Sequence, residues 1–206
     1  MSEQRVEAGH VSFLEILTAL HHTAGPEFVK GALIKTGISA ARTTPEREFA
    51  TIEEFIQSID KLDNPIAQLE GAARHYGNGL FGLPECPFAA AIASQLGAGS
   101  ALPDPYRDIA DEMNKPTALS DQIRVGRGTV VSPFCALHQP IRSAMGERIR
   151  VAGRALSIYQ LGCRSVDGKS GLADHWIQHT GFDRRLIEQV LVENMCCYCI
   201  RFERDN

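Results

Sequence analysis

Met195-Cys196-Cys197-Tyr198-Cys199 places three thiols in four positions, the densest run of metal-ligating groups in the chain. On a strand, side chains alternate between faces, so Cys197 and Cys199 share one face while Cys196 joins Tyr198 and Ile200 on the other. On a helix, Cys196 and Cys199 would share a face instead. Neither geometry offers all three thiols to one metal easily, and small apolar cysteines also serve to fill a tight sheet core. A second group is Phe134-Cys135-Ala136-Leu137-His138, flanked by Pro133 and Pro140 in a shaped loop or short helix. Zinc and iron both accept thiolate together with imidazole. Cys163 falls close to a strand that can pair with the one carrying Cys196–Cys199. The expected metal ligands are therefore Cys135, His138, Cys163, Cys196, Cys197 and Cys199, and the cofactors they suit are zinc, iron or an iron–sulfur cluster.

Nucleophilic chemistry has its own candidates. Pro87 suits a first helical position, leaving Cys86 at the N-cap, where the helix dipole favours thiolate. Cys86 or Cys135 would act as nucleophile, with His138 or His75 as base. His175 and His179 stand one turn apart on an expected helix, but Trp176 occupies the place of the glutamate in H-E-x-x-H. A last-turn His179 also suits the helix dipole. Asp167-Gly168-Lys169-Ser170 resembles the end of a phosphate-binding loop, yet Cys163 stands where that motif needs glycine. A surface turn is the better reading. There is no G-x-S-x-G, and Gly126-Arg127-Gly128 is only part of a G-x-G-x-x-G.

The spacing Glu193-x-x-Cys196-x-x-Cys199-x-x-Phe202 resembles the C-terminal end of small ligand-binding 4-vinyl-reductase-type domains. The likeness covers ten residues of 206 and lacks the glycine usual between the two cysteines. It implies a small-molecule binding or sensory module, in which cysteines line an apolar pocket.

The elements that must position these groups are punctuated clearly in the first half. Ser12 and Glu15 form a capping box, with Val11 able to staple onto Ile16 and with Phe13, Leu14, Leu17 and Leu20 on one face. Pro26 opens a second helix, with Phe28, Val29, Ala32 and Leu33 as its buried stripe and Gly37 as its stop. Thr51 and Glu54 cap a third carrying Ile52, Phe55, Ile56 and Ile59. Asn64-Pro65 begins a fourth through Ile66, Leu69, Ala73 and Tyr76, ended by Gly77. Shorter helices are expected from Pro87 to Gln95 and from Asp104-Pro105. Leu96 to Asp104 is the best linker. Beyond it, Ile149 to Val151 and Ala155 to Leu161 read as strands joined at Gly153. Gly171 to His179 and Asp183 to Gln189 read as helices, and Val190 to Phe202 as a closing strand.

Composition bounds the remainder. Hydrophobic residues make up 44% and charged residues 22%, which is ordinary for a globular chain. A net charge of −4 and the lack of a basic, aromatic-laced run argue against nucleic acid as a partner. The N-terminus has no signal-peptide pattern, and the longest apolar run, Phe88 to Ala93, is too short to span a membrane. The expected setting is the cytoplasm, whose reducing conditions keep the six cysteines as thiols.

These observations predict a soluble α+β chain: a helical N-terminal half, then a small, mostly antiparallel sheet with helices. One compact domain over 1–206 is expected, divisible into a helical part at 1–100 and an α+β part with a C-terminal strand at 105–206. The leading function is a metal- or iron–sulfur-binding protein, with an apolar-ligand module and a cysteine-dependent enzyme as alternatives. The expected partner is a small molecule or metal ion, and a homodimer is compatible with a chain of this size.

Overall fold

The structure, a computed structural model, describes residues 3–59, 73–86, 105, 107–108, 141–142, 144–164 and 170–203, with the backbone alone at 3–14, 170 and 175. In chain order its elements are helix α1 (Glu3–Ala41), strand β1 (Arg47–Phe49), helix α2 (Ile52–Ser58), strands β2 (Arg74–Gly77), β3 (Leu80–Leu83), β4 (Ile149–Val151), β5 (Arg154–Arg164) and β6 (Ser170–Leu172), helices α3 (Asp174–Thr180) and α4 (Arg184–Glu193), and strand β7 (Cys196–Phe202). Residues 141–142 and 144–148 are also helical.

The seven strands form one sheet in the order β1-β4-β5-β7-β3-β2, with β6 paired to β5. The α+β class holds, but the sheet is mixed: β1 enters parallel to β4, whereas β2 with β3, β3 with β7, and β5 with β4, β6 and β7 are antiparallel. Helices cover both faces. Phe55 and Ile56 of α2 and its C-cap Ile59, with Ile141 and Met145, pack against Phe81, Leu83, Leu156, Cys163, Cys196, Tyr198 and Ile200. On the other face Ile177 of α3 and Ile187, Val190 and Leu191 of α4 cover Leu80, Leu161, Cys197 and Cys199.

Several elements depart from the sequence reading for identifiable reasons. The last residues of the helix expected from Asn64-Pro65 to Gly77 form strand β2 instead, while its start lies outside the described residues; β2 enters a hairpin whose Gly77↔Leu80 pairing leaves Asn78 and Gly79 as a two-residue turn. Asn78 (φ 52°) and Gly79 (φ 75°) are both left-handed, as an Asn-Gly hairpin turn requires. Ala152 and Gly153 turn β4 into β5 in the same way. The helical half therefore contributes β1, β2 and β3 to the sheet. Helix α1 is already helical from Glu3, so Ser12 does not begin it, and it runs past Gly37 to Ala41 with a break at Gly25 ahead of Pro26. Within its stripe Val29 and Leu33 are buried, but Phe28 is exposed.

The capping predictions fare better. Glu54 N–H donates to Thr51 Oγ1 at 3.1 Å, while the Glu54 carboxylate accepts from Ala50 N–H at 2.9 Å. The helix expected from Asp183 also forms, as α4, with Asp183 capping it by accepting from Arg185 N–H at 2.7 Å. That helix continues to Glu193, so the closing strand starts at Cys196 rather than Val190. Ser170 to Leu172 is strand and not helix, which removes the helix N-terminus a phosphate loop at 167–170 would need. The expected linker and the helix from Pro87 lie outside the described residues; Pro105, Arg107 and Asp108 are helical as expected.

Candidate functional site

The four sheet cysteines separate by strand parity. β7 sends Cys196 and Tyr198 to the α2 face and Cys197 and Cys199 to the α4 face. What brings Cys163 into play is an irregularity in β5. Gln160 pairs with Tyr198 and Gly162 with Cys197, so Leu161 is an extra residue in the ladder. Simple alternation from Tyr159, on the α4 face, would carry Cys163 to that same face. The bulge resets the parity and turns Cys163 onto the α2 face, opposite Cys196. Glycine at 162 suits the crowding there, because a Cβ would stand 2.8 Å from Leu191 Cδ1 and 3.2 Å from Gly171 O.

The outcome is a buried dithiol, with Cys163 Sγ 3.5 Å from Cys196 Sγ. Arg164 N–H donates to Met195 O at 2.7 Å. The Cys163–Cys196 pair next to it thus takes a non-hydrogen-bonded position, where facing side chains approach most closely. The pair is 1% and 5% exposed. Tyr198, one position along the same face, stacks on Phe81 at 5.5 Å, and the Arg142 guanidinium lies 4.2 Å from the centre of its ring. Arg142 is itself nearly buried. Sequence reasoning did not single it out; its signal was one cation between the apolar Ile141 and Met145.

Cys197 and Cys199 are a different kind of thiol. Burial pushes Cys197 well above the ordinary value of 9.0, and neighbouring Cys199 and Cys196 add to the shift. Cys199 is pushed up to about 12 by burial, against opposing effects of Arg201, Thr180 and the Tyr159 backbone. Both are neutral in the folded protein at any ordinary pH. The unfolded chain loses these protons near pH 9, so the contribution of the two thiols to stability is complete below that pH. It is lost as pH rises from about 9 towards the folded values. Each thiol should steepen the alkaline loss of stability by roughly 1.4 kcal/mol per pH unit. Denaturant titrations between pH 8 and 11 check this, on the order of one slope increment per thiol. The C197A and C199A variants should show shallower decline than the parent; equal slopes would refute the assignment.

Cys86 follows β3 and is partly exposed; no described cysteine is in a disulfide. Among the described thiols it should react first with a small alkylating agent. Cys163, Cys196, Cys197 and Cys199 should label more slowly by on the order of a hundredfold or more, since their reaction waits on opening of the sheet. Peptide mapping after timed alkylation checks the order, and comparable rates for Cys86 and the sheet cysteines would contradict it. Cys135 and His138 lie outside the described residues.

The histidines are spread out. His75 on β2 has Nε2 3.7 Å from Glu53 Oε1, and His21 has Nε2 3.2 Å from Asp108 Oδ2. His179 packs its ring against Tyr159 and Trp176 at 5.4 and 5.5 Å. Its α3 neighbour His175 is placed by its backbone alone. A polar group that the sequence reading missed joins β2 to α4: Asn194 Nδ2 donates to Tyr76 O–H at 2.6 Å and to Val190 O at 2.8 Å, and Tyr76 donates to Glu193 Oε2.

Among the described residues no three His, Cys, Asp or Glu side chains converge as a complete metal site. No helix among them is long and apolar enough to cross a membrane. The fold and site thus define an α+β chain with a bulge-aligned dithiol buried in its sheet. No family model, curated protein or solved structure matches this chain.

Proposed function

We propose that the protein binds a thiophilic metal ion, with Cys163 and Cys196 as the chelating half of the site. The observation that carries this reading is the 3.5 Å separation of the two sulfurs. Two sulfurs, each about 2.3 Å from a tetrahedral metal, stand roughly 3.8 Å apart, so the pair needs to open by only a few tenths of an ångström. Cys135 and His138 are the residues proposed to complete the set, giving three thiolates and an imidazole, a combination zinc and mononuclear iron accept. Cys197 and Cys199 are left out of it. They occupy the opposite face of the sheet, away from an ion held between Cys163 and Cys196. That division of thiols favours one ion over a four-thiolate cluster. Four protein ligands leave no open position, so the site's role would be structural.

Cobalt(II) is the direct probe. Added anaerobically to reduced, metal-free protein, it should give the intense visible bands of a tetrahedral thiolate site together with sulfur-to-metal charge transfer in the near ultraviolet. Weak, octahedral-type absorption alone would reject the proposal.

A further inference from the structure

We infer that Cys163 and Cys196 are also a redox-convertible pair, closing to a cross-strand disulfide in the metal-free protein with a hydroperoxide as oxidant. The inference uses the same two residues as the metal reading but does not depend on it. Three observations carry it. The sulfurs are already 3.5 Å apart. The residues are directly paired in the ladder at a non-hydrogen-bonded position, where Cα atoms stand about 4.5 Å apart, inside the range a disulfide accepts. No other pairing of the described sheet thiols fits. Cys196 and Cys197 point to opposite faces, and Cys197 and Cys199, two positions apart on one strand, hold their Cβ atoms roughly 6.6 Å apart where a disulfide wants about 3.8 Å.

The bulge strengthens the argument. Were Leu161 paired in regular register instead of bulged, Cys163 would face α4 and would not stand opposite Cys196. Burial then selects the oxidant. With 5% and 1% exposure, Cys196 and Cys163 are open to a molecule the size of water far more than to a bulky disulfide. Cys196, the less buried, reacts first. Its sulfur attacks one peroxide oxygen, the O–O bond breaks, and Cys196 sulfenic acid and one water (or alcohol) result. The Cys163 sulfur then displaces the sulfenic oxygen, forming the S–S bond and releasing a second molecule as water. Two thiols lose two electrons and two protons, and the hydroperoxide is reduced by two electrons.

The test uses full-length reduced protein held in a chelator, treated with stoichiometric hydrogen peroxide and, in parallel, with oxidised glutathione. The expected product of peroxide has lost two hydrogen masses, yields a linked peptide joining Cys163 to Cys196, and returns to the starting mass with dithiothreitol. Oxidised glutathione should act at least tenfold more slowly. C197S should behave as the parent, and C196S should accumulate no intramolecular link. Peroxide products that are sulfinic acids, or links through Cys86, Cys197 or Cys199 in the parent protein, would overturn the inference. Because chelator is present throughout, these outcomes are independent of whether the protein binds metal.

Discussion

Gly79→Ala is expected to lower the free energy of unfolding by about 2–5 kcal/mol, roughly twice the loss from Gly77→Ala. Gly79 sits in the β2–β3 turn and Gly77 ends β2 just before it, both with left-handed backbone, φ 75° at Gly79 and 90° at Gly77. A side chain at either costs about 1–2 kcal/mol of conformational strain. At Gly77 an added Cβ meets nothing within 4 Å, so strain is the whole cost. At Gly79 it would stand 2.7 Å from Ile200 O, a backbone atom of β7 that cannot rotate away. Gly79 O also accepts from Ile200 N–H at 2.9 Å, so separating the strands loses a ladder bond. Overpacking of this kind adds about 1–3 kcal/mol. Urea midpoints for the two variants measure the difference. Equal losses would mean that the hairpin is not held against β7 at this point.

How much of this could be read from the residues alone varied with the kind of signal. Local chemistry was legible: Thr51 with Glu54, Asp183 ahead of α4, and Gly153 between two strands each carry their cause within a few residues. The β2–β3 hairpin was not read, although Asn78-Gly79 is its signal, because Ile66, Leu69, Ala73 and Tyr76 also fall at helical spacing. A short apolar pattern can satisfy both periods, and only the cross-strand partner decides between them. The same holds for the end of α4, where Val190 to Glu193 suits helix or strand.

The thiol pair shows a sharper limit. The parity of β7 was readable, and it separates Cys196 from Cys197 and Cys199 as observed. The partner of Cys196 was not, because the face taken by Cys163 depends on a bulge at Leu161 fixed by pairing with a strand some thirty-five residues away. Residues three or four positions earlier in β5 could not reveal it. Arg142 over Tyr198 was hidden for a similar reason, since its neighbour lies far along the chain.

The second large effect concerns the metal itself. Removing one of the ligating thiolates costs more than disturbing an outer partner, which alone weakens binding by about 10–100-fold. C163S and C196S should therefore each bind zinc at least about a hundredfold more weakly than the parent. C197S and C199S should stay within a few-fold of it, because their thiols lie on the opposite face of the sheet. Serine keeps the volume change small, and circular dichroism of each variant establishes that it is folded before affinity is compared.

The most direct measurement is a competition titration of zinc against a chromophoric chelator, run anaerobically on the parent protein, C163S and C197S. Metal binding through Cys163 and Cys196 predicts one zinc per chain in the parent and in C197S, with binding lost in folded C163S. Undiminished zinc affinity in C163S, or a parent protein that takes up no zinc, would contradict it.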